Sequence, residues 1–331
     1  MDKERSEKED RIKSICLMYY SMPHIKKIIF DFSANRESIP RYYEGFGKRP
    51  DSFQFENDII EFVKKGATSF HCSEELWVDP LEISTNFSKQ DYNEIRVGWD
   101  LLLDIDSPYL EYSKIYAQMV IESLSFYGIK NIGIKFSGSK GFHIIIPWKA
   151  FPEQMYNQKT KDMFPEWPRI ICLYLDSIIK PKLTKKIFDE QSLKDLAERT
   201  GKKESDLLVD ECLSCQRQVI KKNKITWRCE YCKNIGEVLR MDNHRIPKCP
   251  NENCRRPLNQ ISTQEILVCE YCNFSSDSHP EMFIKSREKT ETLIEADLIL
   301  VAPRHLFRMP YSLHEKTALS SIVLDKNEVS N

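Results

Sequence analysis

The sequence predicts an α/β (α+β) protein, with mixed sheets flanked by helices and a cysteine-rich insert. Three observations predict it. Two short apolar runs, Leu101 to Ile105 and Ile132 to Phe136, enclose a helical segment, and a third run, Ile144 to Ile146, follows closely. Eight of the eleven cysteines fall between Cys212 and Cys272 as four close pairs. The chain has 331 residues, enough for one main α/β unit with a smaller appendage.

Hydrophobic residues at 41% and charged residues at 30% fit an ordinary globular chain and exclude wholesale disorder. A formal net charge of -1 excludes a strongly basic histone-like binder but leaves room for a local basic groove. No apolar run reaches bilayer length, and the opening MDKERSEKEDRIK lacks the apolar core of a secretory signal. The expectation is an intracellular, cytoplasmic protein with no membrane partner. In a reducing compartment clustered cysteines are expected as metal ligands rather than disulfides. Cys16, Cys72 and Cys172 stand singly and are expected as small buried side chains.

Taken in order, Ile12, Ile15, Cys16 and Tyr19 recur at helical spacing and predict an amphipathic helix over residues 5 to 20. Ile28 to Phe32 reads as a short strand entering SANRESIPRYYEGFGKRPD. Arginines among aromatic rings there suit base stacking and phosphate contact, or else form a solvated loop pairing with Glu37 and Glu44. Asn57 or Asp58 caps a helix that runs through Lys65 and stops at Gly66, and ATSFHCSEELW follows as a strand and a turn.

In the strand Leu101 to Ile105, side chains two apart share a face, so Asp104 and Asp106 project together while Ile105 points into the core. Two carboxylates held that close repel unless a cation sits between them. Glu111 to Tyr127 reads as a helix of about four turns ended by Gly128. This strand, crossover, strand unit brings the FSGSKGFH turn near the acidic pair. Gly138 and Gly141 let backbone amides approach an anion, while Lys140 adds charge and Ser137 and His143 add donors.

PRIICLYLDSIIKP and SLKDLAERT read as helices covering the sheet. Composition shifts at Lys202 and persists to about His279, so the expected organisation is a core over 1–201, an insert over 202–280 and a returning core over 281–331. Ala296 to Val301 is the last expected strand, before RHLFRMPYSLHEKTAL, and residues 323–331 read as a frayed tail.

The cysteine pairs are Cys212 with Cys215, Cys229 with Cys232, Cys249 with Cys254, and Cys269 with Cys272. Each sets two thiolates on one turn, and two pairs complete a tetrahedral zinc site, giving two structural ions. The simplest assignment is two consecutive ribbons, first pair with second and third with fourth. The alternative interleaves first with third and second with fourth. The ribbons either support a lobe or contact a template through Arg228, Lys233, Arg240, Arg245, Arg255 and Arg256. A catalytic zinc is excluded when thiolates fill every position.

With these residues in view, the sequence resembles the catalytic (small) subunit of archaeo-eukaryotic primases, the archaeal DNA primases in particular. The family pattern is an acidic pair on a strand, a serine-glycine turn ending in histidine, and a third aspartate downstream. Here these are Asp104 with Asp106, Ser137 to His143, and Asp297. The resemblance implies a DNA primase that makes short primers with two Mg²⁺ or Mn²⁺ ions on Asp104, Asp106 and Asp297. It assigns Ser137, Lys140, His143, Arg308 and His314 to the nucleotide.

The implied partners are a single-stranded DNA template, nucleoside triphosphates and a primase large subunit, in replication at the nucleoid. Arg36 and Glu37 are similar to an arginine-glutamate pair near the family's N-terminus. The likeness covers most of residues 30–320 but not the insert. It departs from the family in two places: no cysteine lies between Asp106 and Ser137, where a zinc knuckle is common, and the third aspartate rests on its distance to the RHLFR segment, with Glu295 as a nearby substitute on the same strand face. One alternative is a repair or mobile-element primase-polymerase, similar to the polymerase domains joined to bacterial DNA ligases. Another is a non-catalytic zinc-ribbon module that binds nucleic acid.

Overall fold

The computed structural model describes residues 2–240, 248–286 and 301–330. The chain forms two compact units, Met1–Leu183 with Ile294–Asn331, and Thr184–Leu293.

The first unit opens with α1 (Asp2–Tyr20) and α2 (Pro23–Phe32), then β1 (Ser38–Tyr42), α3 (Asp58–Lys64), β2 (Ala67–Ser73) and β3 (Glu75–Trp77). It continues through α4 (Lys89–Ile95), β4 (Arg96–Trp99), β5 (Leu101–Ile105), α5 (Leu110–Phe126), β6 (Gly133–Phe136) and β7 (Phe142–Ile146). A two-residue hairpin, β8 (Gln154–Met155) with β9 (Gln158–Lys159), precedes α6 (Glu166–Glu190).

The second unit contains α7 (Leu193–Thr200), β10 (Val209–Cys212), β11 (Ile220–Arg228), β12 (Ile235–Arg240), β13 (Asn259–Cys269), β14 (Phe274–Ser275) and β15 (Phe283–Ser286). The first unit resumes with β16 (Leu306–Arg308) and β17 (Val323–Leu324).

Helix α1 buries Ile12, Cys16 and Tyr20, four residues apart, against Phe70 of β2 and Leu313. Each fully buried large apolar side chain there contributes about 1.5–3 kcal/mol. Cys16, Cys72 and Cys172 are buried, and burial pushes each thiol up to about 12, so they act as small apolar side chains.

The expected strand at Ile28–Phe32 is instead the last turn and a half of α2. Pro23 presets the helical φ at its start, and Ile25 and Ile29 are buried one turn apart. The contiguous run of three apolar residues concealed that period. The expected frayed tail is docked: β17 pairs with β6, and Val329 is buried. The expected strand at Ala296–Val301 lies outside the described residues, apart from Val301.

The sheet that positions the site has the order β17-β6-β7-β5. Strand β7 runs antiparallel to both β5 and β6, so β5 and β6 are parallel to one another with β7 between them. Both of their exits therefore reach one edge, as a strand, crossover, strand unit requires. Leu103, Ile134 and Ile144 occupy one face toward α5, while Leu102, Asp104, His143 and Lys135 occupy the other. A second sheet, β1-β2-β16, carries Arg308 on its edge strand.

Candidate active site

The centre of the site is one cross-strand row. Asp104 on β5 lies opposite His143 on β7, which lies opposite Lys135 on β6. His143 Nε2 is 3.4 Å from Asp104 Oδ1. Burial, reinforced by Lys135 and Arg308, holds the His143 imidazole well below its usual range, so it is neutral at pH 7.

Burial pushes the Asp104 carboxyl up to about 6; Lys135 partly reverses this, and Asp106 adds to it by repulsion. Asp106 follows the strand and is exposed. Asp297 and the nearby Glu295 lie outside the described residues. Among the described residues, Asp104 and Asp106 are not joined by a third group at single-ion spacing, whereas the cysteines are. A carboxylate raised by burial and by a like-charged neighbour suits a divalent cation, which removes both costs.

The Ser137–Gly141 turn closes the β6–β7 hairpin. Ser137 N donates to Gly141 O at 2.9 Å, and Gly141 N donates to Ser137 Oγ at 3.1 Å, so this hydroxyl holds the turn. A Cβ on Gly141 would sit 2.3 Å from the Ile105 carbonyl oxygen and 3.2 Å from Asp106 Oδ1. Gly141→Val is therefore expected to lower the melting temperature by an amount equivalent to about 1–3 kcal/mol and to misplace Asp106. Gly45→Ala, which meets nothing within 4 Å, is the neutral control. Equal melting curves for the two variants would refute the close approach. Lys140 at the tip is exposed, with no ion pair among the described residues.

The C-terminal segment packs beside this turn. Gly138 has a φ of +88°, and its Cα approaches so closely that a Cβ would lie 3.2 Å from that of His314. Thr317 Oγ1 donates to Gly138 O at 3.2 Å. The Arg308 guanidinium donates to the Ser137 carbonyl and, at 2.6 Å, to Glu315 Oε2. Burial and Arg308 together lower the His314 imidazole. Ser137 and Lys140 on the β6–β7 turn, His143 on β7, Arg308 on β16 and His314 on the loop after it thus gather beside Asp104 on β5 and Asp106 just past its end.

Four participants escaped the sequence reading. Lys135 is buried in the GIKF strand and donates to Ser321 Oγ at 2.8 Å. Its only signal was a lysine between Ile134 and Phe136. His305 lies 3.6 Å from Glu74 Oε1; burial opposes its protonation, but Glu74 and Asp104 raise it overall. Glu74 is buried with neither carboxylate oxygen hydrogen-bonded, and burial lifts it to about 7. His71 is buried nearby and lowered by burial and by Arg308.

The arginines near the N-terminus are paired rather than presented. Arg36 pairs with Asp100, Arg41 with Glu315, and Arg49 with Glu37, which also receives Arg304 at 2.7 Å. Arg36 and Glu37 are thus not partners of one another. Of the partners foreseen for this loop, Glu37 receives Arg49 and Arg304.

Burial pulls the Lys135 ammonium down from 10.5 to about 7. The unfolded chain keeps that proton up to its ordinary value while the folded chain releases it, so stability from this group rises with pH across that window. Lys135→Met is expected to raise the melting temperature more at pH 6 than at pH 9, while lowering activity. A gain independent of pH would show that Lys135 is not a buried charge.

The two thiolate clusters are Cys212, Cys215, Cys269 and Cys272, and Cys229, Cys232, Cys249 and Cys254. This is neither the consecutive nor the interleaved pairing but a nested one, first pair with fourth and second with third. The ladder dictates it: β11 and β13 run antiparallel, from Ile220 opposite Val268 to Arg228 opposite Asn259, so each end of the ladder gathers one knuckle from each strand. Sulfur separations of 3.6 Å for Cys215–Cys269 and Cys229–Cys254, and 3.4 Å for Cys232–Cys249, fit the roughly 3.8 Å edge of a tetrahedron with 2.3 Å bonds. Both clusters suit zinc with no open position.

A cavity of about 780 Å³ is lined by Trp99, Leu101, Ile146 and Trp167. Leu101 and Ile146 lie on the sheet face opposite Asp104, so the cavity is not the acidic site. No helix among the described residues is long and apolar enough to cross a membrane.

No family model matches the chain. Over 125 residues it is 31% identical to an uncharacterized protein, MJECS07, of Methanocaldococcus jannaschii. That match covers 38% of this chain and 27% of the relative, so the chain spans little more than a quarter of the relative's length. Among solved structures it is similar to the polymerase domain of Mycobacterium tuberculosis Ligase D in complex with DNA. The TM-score is 0.41 at 11% identity, over 96% of this chain and 83% of that one, a likeness too loose to carry an argument.

Proposed function

We propose that the chain is a template-directed nucleotidyltransferase of the primase-polymerase kind, acting on nucleoside triphosphates along a single-stranded DNA template. One observation carries the reading: the row Asp104–His143–Lys135 ends at the same sheet edge as the Ser137–Gly141 turn, with Arg308 and His314 packed against that turn. A carboxylate pair thereby lies beside a glycine turn and the cationic side chains of Lys140 and Arg308, groups of the sort a triphosphate requires.

Asp104 and Asp106, with Asp297 as the third acid, would hold divalent magnesium or manganese. When bound, such ions lower the pKa of an attacking 3′ hydroxyl and offset charge on departing pyrophosphate. The chain's own groups do the remaining work. Neutral His143 orients the Asp104 carboxylate. Lys140, at the exposed tip of the turn, meets the outer phosphates. Arg308 and His314 stabilise charge that builds on the leaving group. The zinc clusters belong to the separate cysteine-rich unit and take no part in the reaction.

A finer reading makes the chain the catalytic subunit of a replicative primase with a large-subunit partner. Initiation distinguishes this from a repair or mobile-element enzyme. The protein is incubated with manganese, nucleotides and either an unprimed or a primed strand. Dinucleotides on the unprimed strand support the primase, and extension of the primed strand alone supports the repair enzyme. No synthesis on either strand would overturn the nucleotidyltransferase reading.

A further inference from the structure

The cysteine-rich unit is built twice. Cys212 to Cys232 and Cys249 to Cys272 each run from a knuckle through a strand to CEYC, with an arginine two residues past the first knuckle, Arg217 or Arg256, and a tyrosine inside the second, Tyr231 or Tyr271. The backbone repeats with the sequence. Gln216 and Arg255 have φ values of 56° and 42°, and Lys233 and Asn273 of 60° and 57°. Cys212 N donates to Arg217 O at 3.0 Å, and Cys249 N to Arg256 O at 2.8 Å. Val219 and Leu258, four residues past their knuckles, are both buried. A half-turn about the middle of the β11–β13 pair exchanges Ile220 opposite Val268 with Asn259 opposite Arg228.

The two halves exchange knuckles. Each thiolate cluster takes its arginine knuckle from one half and its tyrosine knuckle from the other. That exchange sets the Arg217 guanidinium 4.0 Å over the Tyr271 ring and the Arg256 guanidinium 3.6 Å over the Tyr231 ring. All four side chains are exposed. Lysines along the ladder are neutralised, Lys221 by Glu265, Lys222 by Glu270, and Lys224 by Glu237 and Asp277. Arg217 and Arg256 have no ion pair among the described residues. A groove of about 320 Å³, lined by Arg217, Gln218, Val268 and Tyr271, adjoins the first pair.

We propose that these two Arg–Tyr pairs are equivalent platforms for the unpaired bases of single-stranded nucleic acid, one at each end of the ladder. Each offers a planar π surface for any base and a guanidinium charge for the adjacent phosphate, the combination that binds single strands without regard to sequence. Nine residues of β11 place the platforms about 30 Å apart, so a long strand engages both and a very short one engages a single platform. This deepens the reading of the chain as a template-using enzyme and rests on it.

The test is fluorescence anisotropy of labelled oligothymidylate with the zinc-loaded 331-residue chain. Tyr231→Ala and Tyr271→Ala are each expected to weaken binding about 5- to 100-fold, by similar amounts, with zinc content unchanged. Should either variant lose zinc, Arg217→Gln and Arg256→Gln keep the rings, and each is expected to reduce the salt dependence of binding by about one phosphate contact. Unchanged affinity in the zinc-loaded double tyrosine variant, or in the double arginine variant, would overturn the proposal, leaving the pairs as braces for the knuckles. Equal affinity for duplex DNA would also overturn it. A wild-type chain that binds single strands through these rings but synthesises nothing would sink the polymerase reading and leave the platforms standing.

Discussion

Replacing Asp104 and Asp106 together by alanine is expected to reduce nucleotide incorporation by about a thousand-fold or more, because on the proposed reading divalent ions held there would supply several kcal/mol of charge stabilisation. Zinc content should remain at two ions per chain and single-strand binding should be unchanged, since neither depends on this edge of the sheet. Primer-extension gels read the first quantity, and native mass spectrometry the second. The single variant Asp104→Asn keeps the shape of the side chain and is expected to lose nearly as much activity. Synthesis retained in the double variant would refute the assignment of this site.

The second large effect concerns zinc. A structural zinc ion in each cluster would contribute about 10 kcal/mol or more to the folding of the segment that binds it, so chelation should unfold the cysteine-rich unit. Combined substitutions reveal the pairing. In the nested arrangement, Cys212→Ser with Cys272→Ser removes one ion, because both residues serve the same cluster. Cys212→Ser with Cys232→Ser removes both ions. Consecutive ribbons demand the reverse of these results, and the interleaved scheme would lose a single ion with Cys212→Ser and Cys249→Ser. Native mass spectrometry distinguishes all three.

Local chemistry made part of this protein legible in its sequence. The strand at Leu101–Ile105 has the bounds its apolar run suggested, and the helix after it ends beside Gly128, whose φ of +79° is one that glycine adopts without strain. The acidic pair and the glycine turn were likewise visible, since both are written within a few consecutive residues. What stayed hidden depends on pairing across distance. Nothing local to FHIII says that β7 slots between two parallel strands and so sets His143 between Asp104 and Lys135. Ligand spacing cannot reveal nesting, which follows from the β11–β13 register. Arg36, Arg41 and Arg49 looked available because their partners Asp100, Glu315 and Glu37 come mostly from remote segments.

The placement of β16 and β17 has a consequence for biosynthesis. Arg304 reaches back to Glu37, Arg308 to Ser137, and β17 to the outer side of β6. A nascent polypeptide leaving the ribosome can therefore make its cysteine-rich unit while the acidic pair still lacks Arg308 and His314. The gathering of these groups is complete only when the stretch beyond residue 301 threads back onto strands made long before it.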